Sequence, residues 1–154
     1  MAIFVSSRNV PIGYSTPEFP SVFWPIGTTR PSYLKSFLYY SWDIWRFTVF
    51  WSLLLSGGLY FCVGVLSCLN SILNSYRHKT LHSFKVFTCV FILVFYVFTG
   101  LLKGFIGGAI VGVILAAIYQ AGNLTMSCWI PLTWAIAQIL YDIASSYLIS
   151  SIIL

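Results

Sequence analysis

Charge is what this chain has least of. Asp, Glu, Lys and Arg make up 7% of its 154 residues, against about a quarter in an ordinary soluble domain. That shortage excludes the usual charged aqueous surface. Basic residues are eight in number and acids only three, Glu18, Asp43 and Asp142, for a net charge of +5. Most of the basic residues flank apolar runs instead of clustering on a face, which points to anchoring at a membrane surface and excludes a nucleic-acid footprint. The four cysteines, Cys62, Cys68, Cys89 and Cys128, form no C-x-x-C pair. A disulfide framework and a zinc site both need spacing that is absent, so these are expected to be reduced packing residues. No basic stretch precedes the few apolar residues at the start, so a cleavable signal peptide is not expected. There is no nucleophile set beside a base, no phosphate-binding loop and no metal cluster, so the expectation is a protein that is not an enzyme and needs no cofactor, bound phospholipid aside.

Apolar residues are abundant. They make up 59% of the chain, and the mean hydropathy is +0.90. The expected class is an all-α integral membrane protein, with length for one compact bundle. Residues 1–42 read as an N-terminal segment rich in Pro and aromatics, and residues 43–154 as the helical bundle. The prolines at 11, 17, 20, 25 and 31 break any long helix in the first part. Its aromatic rings suit the headgroup level. A partly ordered tail is the plain reading, and an arm that docks on a partner the functional one.

Residues 47–69 carry no charge and would span about 35 Å as a helix, enough for a hydrocarbon core of about 30 Å. Trp42 and Trp45 anchor one interface of this first span, and Arg77 and Lys79 the other. The loop that follows also holds His78 and His82, four apart, but with no acid or thiol nearby they read as interfacial polar residues, not as metal ligands. By its basic residues this loop is expected to be cytosolic.

The most ordered pattern in the chain lies between residues 100 and 122. Gly100, Gly104, Gly108, Gly112 and Ala116 recur at every fourth position. On a helix they form a nearly side-chain-free strip, a seam along which two backbones approach closely in a bilayer. Gly57, Gly58 and Gly64 in the first span form a second small-residue patch, the expected partner of this strip.

Residues 86–119 carry a single charge, Lys103. As one straight helix they would be about 51 Å long, too long for one ordinary span. The expectation is therefore a central helical hairpin that folds back near residues 99–104 with Lys103 at its tip, giving four membrane helices in a small bundle. Three spans, with this stretch as one tilted helix, is the alternative. Asn123-Leu124-Thr125 matches a glycosylation triplet, which the hairpin topology turns toward the cytosol. The last span, residues 131–154, carries Gln138, Asp142, Ser145 and Ser146 at spacings of three and four, one polar stripe. An acid at the depth of Asp142 faces a bundle interior or a wet cavity. Interhelical hydrogen bonding is the plain reading of the stripe, and a lining for lipid headgroups or a partner contact the sharper one. Lys103 is the one basic residue available to pair with Asp142 from the membrane interior.

Trp45 and Trp51 opening the first span, Arg77-His78-Lys79, the run from Ala116 to Gly122, then Met126, Pro131 and Gln138 before a terminal apolar helix together resemble the transmembrane protein 170 family, over residues 43–154. The resemblance would place a basic residue at 120 and an apolar one at 142, where Gln120 and Asp142 stand. It implies a multi-pass membrane protein of the endoplasmic reticulum and nuclear envelope, with its N-terminus in the lumen. It further implies a non-catalytic adaptor that anchors or assists a large bridge-like lipid-transfer protein, with membrane lipids and other small membrane proteins as further partners. Two alternatives stand beside it, a membrane-shaping protein built on the short hairpin and an accessory subunit of a membrane enzyme or transporter.

Overall fold

The structure, a computed structural model, describes residues 14–20, 22, 37–77 and 83–153. In chain order the elements are β1 (Phe37–Leu38), α1 (Ser41–Arg77), α2 (Ser83–Ala121), β2 (Met126–Ser127) and α3 (Trp129–Ile153). Helix dominates, as the composition demands, and its polar backbone is satisfied internally. Two stretches, Ser41–Asn74 and Phe87–Ala121, are long and apolar enough to cross a membrane. Together with their predominantly exposed apolar side chains this makes the chain a membrane protein. Lys79, His78 and His82 lie outside the described residues, and so does the side chain of Arg77.

The four-helix expectation is corrected here. Residues 99–104 are helical, α2 runs through them unbroken, and three helices are described. Two physical reasons stand against a turn at that point. Thr99 donates its Oγ1 hydrogen to the Phe95 carbonyl at 2.8 Å, a bond local to one helix. More decisively, Gly100 and Gly104 within this stretch and Gly108 and Gly112 after it all meet α1, as Leu93 and Tyr96 before it meet Gly64, and only a continuous helix keeps these contacts in one register.

α1 and α2 are antiparallel and pack along their length, from Trp45 against Gly112 at one end to the Cys68 thiol donating to the Cys89 carbonyl at 3.0 Å near the other. α3 packs against α1, while α2 and α3 barely touch. The helices alternate in direction, so the loop after α2 lies at the end where α1 begins. The antiparallel pairing of Phe37 with Ser127 and Leu38 with Met126 ties that end together. With a continuous α2, the Asn123 triplet therefore sits on the side of the N-terminal segment, opposite to the side expected from the hairpin.

Asn123 also stops α2. Its φ of 51° is the left-handed conformation that asparagine tolerates better than most residues. The Leu124 N–H reaches the Tyr119 carbonyl at 3.0 Å and the Asn123 N–H the Gln120 carbonyl at 3.2 Å, the paired bonds of a Schellman cap. The buried core lies just beyond this cap. Leu38, Ile44, Phe47, Ala116, Met126 and Cys128 form it, with Phe19, Leu115, Tyr119 and Ile130 packed around them.

Candidate functional site

The small-residue strip is a contact inside this protein. A Cβ built on Gly108 would lie 2.8 Å from Ser52 Cβ, one on Gly104 2.8 Å from the Ser52 carbonyl oxygen, and one on Gly100 2.6 Å from Tyr60 Cβ. Gly112 lies against Trp45, and Ala116 is fully buried. Of the opposing patch, Gly57 and Gly64 meet α2 through Leu101 and Tyr96, whereas Gly58 has nothing within 4 Å of the place its Cβ would take. Ser52 and Ser56 are buried against the strip, with Oγ atoms that have no hydrogen-bond partner among the described residues. They are there for their small size. At this depth a serine, like a glycine, lets two backbones close together.

Gly107 points another way, toward α3, where a Cβ would strike the amide of Gln138. Because that space is left free, Gln138 Nε2 donates to the Lys103 carbonyl at 3.4 Å. One turn on, Lys103 Nζ stands 3.8 Å from Asp142 Oδ1, with side chains 53% and 18% exposed. That separation is an ion pair and too long for a charge-assisted hydrogen bond. The ammonium also lies 5.5 Å from the centre of the Tyr60 ring, within cation–π range. An unpaired charge at the centre of a membrane helix costs about 3 kcal/mol. Pairing across two helices, with a ring face beside it, offsets that cost and explains how α2 carries Lys103 without a turn.

Around this pair the helices stand apart. A groove of about 500 Å³ is lined by Lys103, Gly107, Val111, Trp134, Ala137, Gln138, Tyr141 and Asp142. Asp142 also lines a second hollow of about 390 Å³ with Leu59, Tyr60, Val63, Tyr96, Ile143, Ser146 and Tyr147. The walls are largely apolar and aromatic, with the ion pair between the two spaces. This arrangement can hold the tail of an amphiphile while giving a polar atom a partner inside the membrane.

The polar stripe of α3 therefore divides. Gln138 and Asp142 reach α2, while Ser145 and Ser146 both donate to the Asp142 carbonyl, at 2.9 and 2.8 Å, and stay within their own helix. Trp42 is 52% exposed and stacks on Trp45 with ring centres 5.1 Å apart. Gly107, Tyr60, Trp134 and Tyr141 are site residues that the polar spacing of α3 did not indicate. Gly107 and Lys103 lie four apart, and that was the signal for the first of them.

At the start of α1, residues 14–20 fold onto the helix. Tyr14 donates its hydroxyl to the Phe37 carbonyl at 3.1 Å. Burial, and then the Asp43 carboxylate, push its phenol above the ordinary range. Burial likewise pushes the Cys128 thiol up to about 11, so it stays protonated and inert at neutral pH. The four cysteines are free, as their spacing led one to expect.

The sequence pattern of the family described as Transmembrane protein 170A/B-like matches residues 37–153. A Saccharomyces cerevisiae protein, Uncharacterized protein YPR153W, is 38% identical over 147 residues, covering 96% of this chain and 95% of its own. Neither carries an enzymatic name. No solved structure matches.

Proposed function

The chain belongs to the Transmembrane protein 170A/B-like family, and from that premise we propose that it is a non-catalytic adaptor of the endoplasmic reticulum membrane that anchors or assists a large bridge-like lipid-transfer protein. The observation that carries this reading is the gap between α2 and α3. A protein whose role ended at packing its own helices would close that side as it closes the α1·α2 side. Instead an apolar groove of about 500 Å³ lies along the bundle, with one ion pair inside. Acyl chains fit its walls, and a headgroup oxygen or amine crossing this depth finds Lys103 or Asp142. Membrane bending by a short hairpin has less support, since α2 is continuous where that hairpin would turn.

The test is gentle purification of the tagged protein from endoplasmic reticulum membranes, with identification of what co-elutes. A very large, elongated partner is expected. Elution as a lone monomer would overturn the reading.

A further inference from the structure

A second polar site, which shares no residue with the groove, lies at the end tied by β1 and β2. Residues 14–20 are held over the start of α1 by the Tyr14 hydroxyl and by Phe19, whose ring lies 5.7, 5.6 and 5.0 Å from those of Phe47, Phe50 and Trp51. Between this strap and the helix is a cavity of about 310 Å³ lined by Thr16, Pro17, Glu18, Phe19, Asp43, Arg46 and Phe47. That volume lies at the small end of the range for ligand pockets. Asp43 is 6% exposed, and its Oδ2 has no hydrogen-bond partner among the described residues. A buried, unpartnered carboxylate oxygen is costly and marks a place where something is missing.

The charges on the cavity wall decide what fits. A lone anion would meet the carboxylates of Glu18 and Asp43. A lone metal ion would meet the Arg46 guanidinium and too few oxygen ligands. A group with an ammonium and a phosphate satisfies all three at once, the ammonium on Asp43 and Glu18 against the Phe19 and Phe47 rings, the phosphate on Arg46. The depth agrees. Arg46 is exposed, Trp42 and Trp45 lie beside it, and the uncharged run of α1 begins at Phe47. This is the headgroup level of a bilayer.

We infer that the cavity between residues 14–20 and the first turns of α1 binds the headgroup of a zwitterionic phospholipid, through Asp43, Glu18 and Arg46. The inference needs the chain to sit in a bilayer and does not need a bridge-like partner. Native mass spectrometry of the purified protein in detergent tests it, with phosphatidylethanolamine, phosphatidylglycerol and soluble glycerophosphoethanolamine added in turn. Phosphatidylethanolamine is expected to be retained at least five-fold over phosphatidylglycerol. Asp43→Asn and, separately, the exposed-residue variants Glu18→Gln and Arg46→Gln should bring that ratio close to one, while Gly58→Ala, a change into open space away from both sites, leaves it unchanged. Equal retention of the two lipids by the unmodified protein would overturn the inference, as would a ratio unaffected by all three headgroup-site variants. Glycerophosphoethanolamine bound as tightly as the lipid would overturn the assignment to a lipid in favour of a free zwitterion. Loss of the ratio in variants that still co-elute with a large partner separates this site from the adaptor reading, and an unmodified protein that shows the ratio but elutes alone would sink the adaptor reading only.

Discussion

The two sides of α2 meet their neighbours in opposite ways. Toward α1 the helix presents Gly100, Gly104, Gly108 and Gly112, and finds Ser52, Ser56 and the backbone closer than ordinary contact to where a side chain would begin. Toward α3 it presents Gly107 and Lys103, and finds one amide, one carboxylate and open space. Small residues alone do not explain the difference, because both faces have them. What separates the faces is repetition. Four small residues in register draw two backbones together over several turns, whereas one glycine beside a lysine makes a niche for a single side chain.

The largest expected effect comes from filling the closed side. Gly108→Leu would drive a side chain into Ser52 and the Val49 backbone, 2.8 and 3.1 Å from the new Cβ. A loss of about 3 kcal/mol is expected, or failure to fold. Gly107→Leu displaces the flexible Gln138 amide into the groove, at a cost of about 1 kcal/mol. Thermal unfolding in detergent measures both, and equal losses would break the comparison.

The next effect lies on the open side. Lys103→Leu or Asp142→Leu alone leaves one charge unpaired inside the apolar length of the bundle, and each should cost about 2 kcal/mol. The double variant Lys103→Leu/Asp142→Leu should recover most of that loss. If the double variant were as unstable as the sum of the singles, measured on the same unfolding scale, the pair would not be what holds α3 to the groove.

The smallest effect sharpens the boundary of the seam. Gly58 has nothing within 4 Å of its missing Cβ, so Gly58→Ala should be neutral or stabilise by a few tenths of a kcal/mol, as alanine favours helix over glycine. A marked loss would show that the closed face of α1 is wider than Gly57, Ser52 and Ser56.

Much of the seam was legible in the sequence because a period of four residues on an apolar helix has few other uses. The same helical geometry shows why only part of the opposing patch takes part. Gly57 and Gly64 are seven apart and share a face, while Gly58 lies about 100° around from Gly57. Thr48, Ser52 and Ser56 repeat at every fourth residue on α1 and could have been read as the facing strip. The Lys103 and Asp142 pairing was legible because the membrane interior offers so few charges to choose from. The unbroken α2 was not. Bilayer thickness says how much helix must be apolar, and it sets no limit on how far two paired helices continue past it. The strap over α1 was not legible either, since residues 14–20 hold two prolines and no periodicity, and their place is fixed by Phe19 and Tyr14 finding partners far along the chain.

The reach of the paired helices has a mechanical consequence. α1 has 37 residues and α2 has 39, lengths of about 56 and 58 Å against a hydrocarbon thickness of about 30 Å. Spanning helices tilt by no more than about 40°, so tilting cannot absorb the excess. With the Trp42 end held at one surface, roughly 10 Å or more of antiparallel pair stands clear of the hydrocarbon on the other side. That projection is a stalk, stiffened by two helices instead of one, and it holds the end of α1 and the start of α2 clear of the hydrocarbon as a boom holds its tip clear of a hull.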